Sequence, residues 1–210
     1  ATVLINVLPI NDAPQTTDNY FVLNEDSSLE IELFANDVEE DDISYSIINS
    51  PINGVLTLIE NSIYIYIPDE NYYGIDSFTF QAFDGELYSE ISTNILEILA
   101  VNDSPTSTTF PINTLEDESI IFNVPYVDVD NTYDELSIIL LSNPSLGYIE
   151  FNGLQGEYFP YPNANGFESI DYQLSDGLSL SDVYQVVVSI SSINDAPVLS
   201  VIDDQSIDED

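Results

Sequence analysis

The chain has 210 residues, of which 39 are Asp or Glu and none is Lys, Arg or His, so its formal net charge is −39. Without side-chain cations it cannot form side-chain salt bridges or the phosphate contacts that nucleic-acid binding requires. The hydrophobic content of 44% and aromatic content of 11% suffice for packed cores and argue against disorder. Cys is absent, so disulfides cannot hold the fold, and no apolar run approaches the ~20 residues of a membrane span.

A short motif, Asn-Asp-x-Pro, divides the chain into equal parts. Its three copies are Asn11–Pro14, Asn102–Pro105 and Asn194–Pro197. From Asn11 to Asn102 is 91 residues and from Asn102 to Asn194 is 92, a period that indicates an array of modules. We predict complete modules at 11–101 and 102–193, with 1–10 as the last strand of a preceding module and 194–210 as the start of a following one. The chain is then expected to be a segment of a longer array.

The first module has the apolar pattern of strands. Apolar residues alternate with polar ones at period two, and no stretch has the spacing and caps of a long helix. Seven strands are predicted near residues 18–23, 28–34, 43–49, 54–59, 62–67, 76–83 and 88–99. The fifth has Ile63, Ile65 and Ile67 on one face and Tyr64 and Tyr66 on the other, so we expect it to be covered on both sides. Seven short strands in about 90 residues predict an all-β, antiparallel two-sheet sandwich.

The second module repeats this scheme. Ser169–Tyr172 matches Ser77–Phe80, and Asp176-Gly177 matches Asp84-Gly85. The apolar positions are retained while the outward positions vary. Two such modules in line predict a linear rod.

Acidic residues recur at four fixed places in each module. They follow the first strand, follow the second strand, precede a Gly after the sixth strand, and lie in the Asn-Asp linker. The recurring sets are Glu25-Asp26, Glu116-Asp117 and Glu209-Asp210; Asp37–Asp42, and Asp128–Asp130 with Asp134-Glu135; Asp84 and Asp176; and Asn11-Asp12, Asn102-Asp103 and Asn194-Asp195.

Like charges packed together need a counter-ion, and Ca²⁺ suits this composition because it takes 6–8 oxygen ligands. Softer metals would favour Cys or His, which the chain lacks. In an extended segment residues i and i+2 point the same way, so Asp128 and Asp130 can face one ion. The alternative is that the acidic residues only solvate loops, and that Asp84-Gly85 and Asp176-Gly177 are plain hairpin turns.

Taken together, these motifs resemble the cadherin-like tandem repeats of large bacterial surface proteins. The order is Glu after the first strand, Asp-x-Asp or Asp-x-Glu after the second, Asp-Gly after the sixth, then Asn-Asp-x-Pro. The stretches Ala35–Tyr45 and Phe78–Gly85 are typical of that family. The resemblance implies tandem seven-stranded Greek-key β-sandwiches of cadherin or immunoglobulin type, located extracellularly at a bacterial cell surface, with Ca²⁺ at each junction between modules.

The resemblance also implies which residues hold the ions. At the first junction they are Asn11, Asp12, Asp37, Glu39 and Asp84. At the central junction they are Glu25, Asn102, Asp103, Asp128, Asp130 and Asp176. At the last junction they are Glu116, Asn194 and Asp195. The chain departs from the family pattern in having Glu39 in place of Asp and in lacking the second linker Asn of animal cadherins.

The function predicted is a calcium-rigidified spacer in an adhesin or surface filament. Its partners would be adjacent modules or neighbouring copies, without nucleic acid or a membrane span in this segment. Catalysis is not expected, because a chain without His, Cys, Lys or Arg offers no nucleophilic triad and no phosphate clamp.

Two alternatives stay open. One is a self-assembling fibre subunit, formed by strand exchange or edge pairing. The other is a module that binds a surface glycan or protein through an aromatic face. That face would consist of Tyr64, Tyr66, Tyr72, Tyr73, Tyr158 and Tyr161, which could equally be core and strand-surface residues.

Overall fold

The computed structural model describes residues 10–197 of the chain. It contains strands, turns and one 3₁₀ turn at Tyr133–Glu135, and no α-helix within the described range. Among those residues no helix is long and apolar enough to cross a membrane. The chain forms two compact units with the boundary between Val101 and Asn102, called here module one and module two.

Module one is a sandwich of two sheets. Its strands are β1 (Asn19–Asn24), β2 (Leu29–Glu32), β3 (Ser44–Asn49), β4 (Gly54–Glu60), β5 (Ile63–Pro68), β6 (Gly74–Phe83) and β7 (Ser92–Leu99). One sheet has the order β1-β7-β6-β3 and the other β2-β5-β4. All pairings are antiparallel except that of β1 with β7, which is parallel.

Module two repeats this topology. Its strands are β8 (Phe110–Leu115), β9 (Ile120–Asn123), β10 (Ser137–Leu140), β11 (Gly147–Asn152), β12 (Gln155–Pro160), β13 (Gly166–Ser175) and β14 (Tyr184–Ser191). The sheets have the orders β8-β14-β13-β10 and β9-β12-β11, with β8 parallel to β14. The predicted all-β, seven-stranded Greek-key sandwich is therefore confirmed in both modules.

Each module has its own hydrophobic core, built from the inward residues of the alternating strands. In module one Tyr66, Phe78, Phe80 and Leu96 are fully buried or nearly so. In module two the corresponding cluster contains Tyr158, Ile170, Tyr172, Leu174, Val186 and Val188. Burial of such residues, at about 25 cal/mol per Å² of apolar surface, drives each sheet onto the other.

Two strand predictions require correction. The seventh strand begins at Ser92 rather than near residue 88, because Tyr88 makes only an isolated bridge to Phe83 across the turn. The fifth strand was expected to be covered on both faces, and that expectation is wrong. Tyr64 and Tyr66 are buried, whereas Ile67 is 49% exposed, since β5 is the middle strand of the three-stranded sheet and only one face of that sheet meets the core.

A tyrosine–carboxylate hydrogen bond links equivalent strands in both sandwiches, β5 to β6 and β12 to β13, and is buried in module one and partly buried in module two. The Tyr66 hydroxyl donates to Asp76 Oδ2 at 2.9 Å, and Asp76 also accepts the backbone N–H groups of Ile52 and Asn53. In module two the Tyr158 hydroxyl donates to Glu168 Oε1 at 2.5 Å. Burial and the neighbouring carboxylates raise the pKa of both tyrosines, so both remain protonated donors.

Candidate metal centre

The first two Asn-Asp-x-Pro linkers are each fixed to the module that follows them. Pro14 and Pro105 are buried. The next residues form isolated bridges, Gln15 with Asn36 and Thr106 with Val127, through pairs of backbone hydrogen bonds of 2.8–2.9 Å. These bridges hold the linker beside the loop that follows the second strand of the module. The linker Asn and Asp are thereby brought to the acidic loop that the sequence analysis singled out.

In module one the five predicted residues form a connected cluster. The Asn11 side-chain amide donates to Asp84 Oδ2 at 3.0 Å. The Asp12 backbone N–H donates to Glu39 Oε2 at 3.2 Å, and the Glu39 backbone N–H donates to Asp37 Oδ1 at 3.1 Å. We call Asn11, Asp12, Asp37, Glu39 and Asp84 the first acidic cluster.

Module two builds the same cluster with the same connections. The Asn102 amide donates to Asp176 Oδ2 at 2.8 Å. The Asp103 N–H donates to Asp130 Oδ2 at 2.7 Å, and the Asp130 N–H donates to Asp128 Oδ1 at 3.0 Å. We call Asn102, Asp103, Asp128, Asp130 and Asp176 the second acidic cluster.

Hydrogen bonds keep the Asp-Gly carboxylates ionised. Backbone N–H groups of Leu87 and Glu86 lower the pKa of the Asp84 carboxyl below its usual value. Burial acts to raise the pKa of Asp176, but hydrogen bonds from Ser179 and Asn102 outweigh it, and the pKa lies well below its usual value. Both residues therefore present a permanent negative charge at neutral pH.

The first Asp of the acidic loop has a carboxylate oxygen that is buried without a hydrogen-bond partner in both modules. These atoms are Asp37 Oδ2 and Asp128 Oδ2, at equivalent positions of the two modules. Beside the second cluster, the side-chain oxygen of Asn131 is also buried without a hydrogen-bond partner. A buried polar atom without a partner typically costs about 1–3 kcal/mol, and the chain has no side-chain cation to relieve it. A bound cation would do so, and hard oxygens are the ligands that Ca²⁺ prefers.

Carboxylates alone do not complete such a site. Within residues 10–197 no three acidic side chains are gathered closely enough to hold a metal ion by themselves. A Ca²⁺ ion at either cluster would therefore need amide and main-chain oxygens as well, which its usual coordination allows. The residues present fit the ion in ligand type, and in the buried oxygens of Asp37 and Asp128.

The predicted Glu residues lie at the other end of each module. Strands β1 and β7 are parallel, so Glu25, which follows β1, lies at the module end where β7 finishes. Strand β6 is antiparallel to β7, so Asp84, which follows β6, lies at the opposite end. Glu25 is 4% exposed and its Oε1 accepts the Val101 N–H at 2.6 Å. Glu116 is 3% exposed and accepts the Ile193 N–H at 2.6 Å.

The last predicted junction is described only in part. Asn194 and Asp195 are exposed, and the Asn194 amide donates to the Asp195 carbonyl oxygen at 3.4 Å. The proposed strand at 1–10 and the start of the following module fall mainly in 1–9 and 198–210, outside the described residues. The structure adds two residues that sequence reasoning missed, Asn131 and Ser179, which are neutral and lack the charge signal that marked their neighbours.

The six tyrosines that the alternative glycan-binding interpretation groups into one face do not form one exposed surface. Tyr64, Tyr66 and Tyr158 are buried in the cores, Tyr72 packs half-buried against the core of module one, and Tyr73 and Tyr161 are exposed. This division between interior and surface is what core and strand-surface residues would show.

The comparisons with known proteins agree with this architecture. The profile of the family described as "Bacterial Ig domain" matches residues 11–95 and again 102–189. The comparison with curated proteins finds no match.

Solved structures of cadherins share the fold. Mouse cadherin-23 EC22-24 matches at 15% identity and TM-score 0.53 over 86% of this chain and 65% of that one. Human protocadherin-24 EC1-2 matches at 14% identity and TM-score 0.50, over 88% and 100% of the two chains. An endo-fucoidan hydrolase of glycoside hydrolase family 107 matches at 18% identity and TM-score 0.36, over 87% of this chain and 28% of the enzyme, which is too weak to bear on function.

Proposed function

The chain belongs to the bacterial Ig domain family, and from this premise we propose that it is a calcium-rigidified spacer segment of an adhesin or surface filament. Bacterial Ig domains are typically extracellular or surface-associated and non-enzymatic, and tandem copies suggest a structural or adhesin segment. The finer parts of the proposal are that Ca²⁺ binds at the module ends, where one module joins the next, and that this binding holds the modules in line.

The observation that carries the proposal is the repeated buried oxygen, Asp37 Oδ2 in one module and Asp128 Oδ2 in the other. Loop solvation does not account for a carboxylate oxygen that is removed from water and has no donor. Its recurrence, within clusters joined by the same hydrogen bonds, indicates a common requirement in both modules.

The residues have distinct roles in this mechanism. The Asn11 and Asn102 amides orient the carboxylates of Asp84 and Asp176, while backbone N–H groups fix Asp37 and Asp128 from one side. Glu25 and Glu116 would add carboxylates from the other module end. Ca²⁺ would supply the positive charge that the chain lacks. In its absence the clusters, part of a net charge of −39, repel one another.

The test combines calorimetric Ca²⁺ titration with small-angle X-ray scattering of the whole chain, from excess EDTA to millimolar Ca²⁺, with NaCl at equal ionic strength as control. We expect a heat of binding with Ca²⁺ that Na⁺ does not produce, and scattering from a stiffer particle in Ca²⁺. The variant Asp128→Ala with Asp130→Ala should lose the heat that comes from the second cluster, and it should also lose the stiffening. The variant Glu30→Ala with Glu32→Ala removes two outward carboxylates from β2 and should behave as wild type. Identical titrations in Ca²⁺ and Na⁺ would refute the proposal.

A further inference from the structure

Module two carries three aromatic side chains at one sheet edge that the calcium clusters do not use. Tyr148 lies on β11, Phe159 on β12 and Tyr161 directly after β12. Tyr148 and Phe159 are directly opposite in register, and their rings stack with centroids 4.7 Å apart and planes 9° from parallel. The Tyr161 ring centroid is 6.5 Å from that of Tyr148. Tyr148 and Tyr161 are 45% and 48% exposed. We call these three residues the aromatic edge.

The stacking leaves one ring face available. Strand β11 is the outermost strand of its sheet, with β12 as its neighbour. Phe159 therefore covers the face of the Tyr148 ring that is turned toward β12, while the Tyr148 side chain remains 45% exposed. Tyr148 and Tyr161 also line a cleft together with Asn143 and Pro144. The cleft thus combines two exposed aromatic rings with an amide and two phenol groups.

Acceptors continue from the aromatic edge along the same sheet face. Glu150 lies two residues beyond Tyr148 on β11 and is directly opposite Glu157 on β12. Like charges directly opposite in a sheet are unfavourable. The Ser119 hydroxyl already donates to Glu157 Oε1 at 2.7 Å. Further hydroxyl donors from a ligand would stabilise this pair in the same way.

The fold itself does not require the aromatic edge. In module one the residues equivalent to Tyr148 and Phe159 are Val55 and Ile67, which are directly opposite each other on β4 and β5. The position of Tyr161 is taken by Asp69: Asp69 N–H donates to the Asn53 carbonyl oxygen just as Tyr161 N–H donates to that of Leu146. The two modules share one backbone arrangement, so the rings of module two are a specific feature of its surface.

From this contrast we propose that the aromatic edge binds a neutral polysaccharide chain. A pyranose ring has a flat face of C–H groups that stacks on an aromatic ring, and a rim of hydroxyls that hydrogen-bond to amides, phenols and carboxylates. A ligand site of this kind needs apolar contact and a few placed polar groups. Sulfated or uronic-acid glycans are disfavoured, because the chain has a net charge of −39 and no cationic side chain to meet them.

The experiment is a titration of the whole chain with soluble neutral β-glucan, xylan and galactomannan, and with anionic alginate, in EDTA and in Ca²⁺. Binding is followed by affinity electrophoresis and by amide chemical shifts. We expect at least one neutral polysaccharide to bind equally in EDTA and Ca²⁺, with shifts concentrated at residues 143–149 and 159–161. This independence from Ca²⁺ separates the inference from the proposed spacer function.

The matched variant is Tyr148→Val with Phe159→Ile, which gives module two the residues of module one and keeps good strand formers. This variant should show a cooperative thermal unfolding transition like that of wild type, and it should bind the polysaccharide roughly tenfold more weakly or not at all. The control is Tyr88→Val, which removes another exposed tyrosine stacked on a phenylalanine, Phe83, at 4.4 Å; it should bind as wild type. Absence of binding by the neutral panel, unchanged binding by the double variant, or binding to alginate alone would overturn the inference.

Discussion

At the scale of single residues, Glu168 shows how hydrogen bonding can outweigh burial. Burial acts to raise the pKa of its carboxyl, but hydrogen bonds from Tyr158, Ser145 and Leu146 lower it below the usual 4.5. The same carboxylate therefore anchors the turn before β11 and stays ionised at neutral pH. A chain without cations achieves this with hydroxyl and backbone donors only.

We predict that Glu168→Gln destabilises the protein by about 1–3 kcal/mol at pH 7, because it removes a charged acceptor from a partly buried site. The folded-state pKa is lower than the unfolded-state one, so the contribution is complete above about 4.5 and is lost as pH falls through the folded-state pKa. Urea unfolding in EDTA from pH 7 to pH 3 measures it. The exposed control Glu118→Gln should follow wild type, and a pH-independent difference would contradict the prediction.

At the scale of elements, the start of β4 depends on a residue without a side chain. A Cβ added to Gly54 would lie 2.6 Å from the Ile67 carbonyl oxygen and 2.7 Å from the Tyr66 ring. Gly54 therefore lets β4 lie directly over Tyr66, whose hydroxyl donates to Asp76. The ladder between β4 and β5 and the buried pair beneath it are one structural unit.

Gly54→Ala is accordingly expected to destabilise module one by about 1–3 kcal/mol through overpacking. Thr57→Ala, an exposed position on the same strand, should change the free energy of unfolding by no more than about 0.5 kcal/mol. Denaturant unfolding of both variants provides the measurement. Equal effects of the two substitutions would show that the close approach at Gly54 is not what the strand requires.

At the scale of the whole molecule, the net charge of −39 opposes the compact folded state through self-repulsion. The carboxylates repel one another in the folded state, and the repulsion is weaker in the expanded unfolded chain. The Debye length is about 30 Å at 0.01 M salt and about 3 Å at 1 M, so added salt removes most of this difference.

We therefore predict that, in EDTA, raising NaCl from 0.01 M to 1 M stabilises the protein by at least about 1 kcal/mol per module, or roughly 4–8 °C in Tm. KCl should give the same increase, because screening does not depend on the identity of a monovalent cation. Thermal unfolding in both salts tests this. A Tm that is insensitive to ionic strength would mean that surface repulsion does not limit stability.

The amino-acid sequence by itself determined the features that follow from local periodicity. The 91- and 92-residue spacings of Asn-Asp-x-Pro predicted copies of one module, and alternation of apolar residues predicted strands such as β6 and β13. Recurring acidic residues marked the carboxylates that both acidic clusters contain, and the linker motif marked Asn11 and Asn102. These signals can be recognised in the sequence because side-chain direction alternates along a strand and turn residues mark its ends.

The tertiary structure alone decided which of these residues meet and which remain in water. It buried Tyr66 against Asp76, left Ile67 at the surface, and isolated the inner oxygens of Asp37 and Asp128 from any donor. It also stacked Tyr148 on Phe159 at a sheet edge. Strand pairing and sheet order set these relations between residues distant in sequence, whereas a pattern with a period of two residues shows only which side chains share a face of one strand.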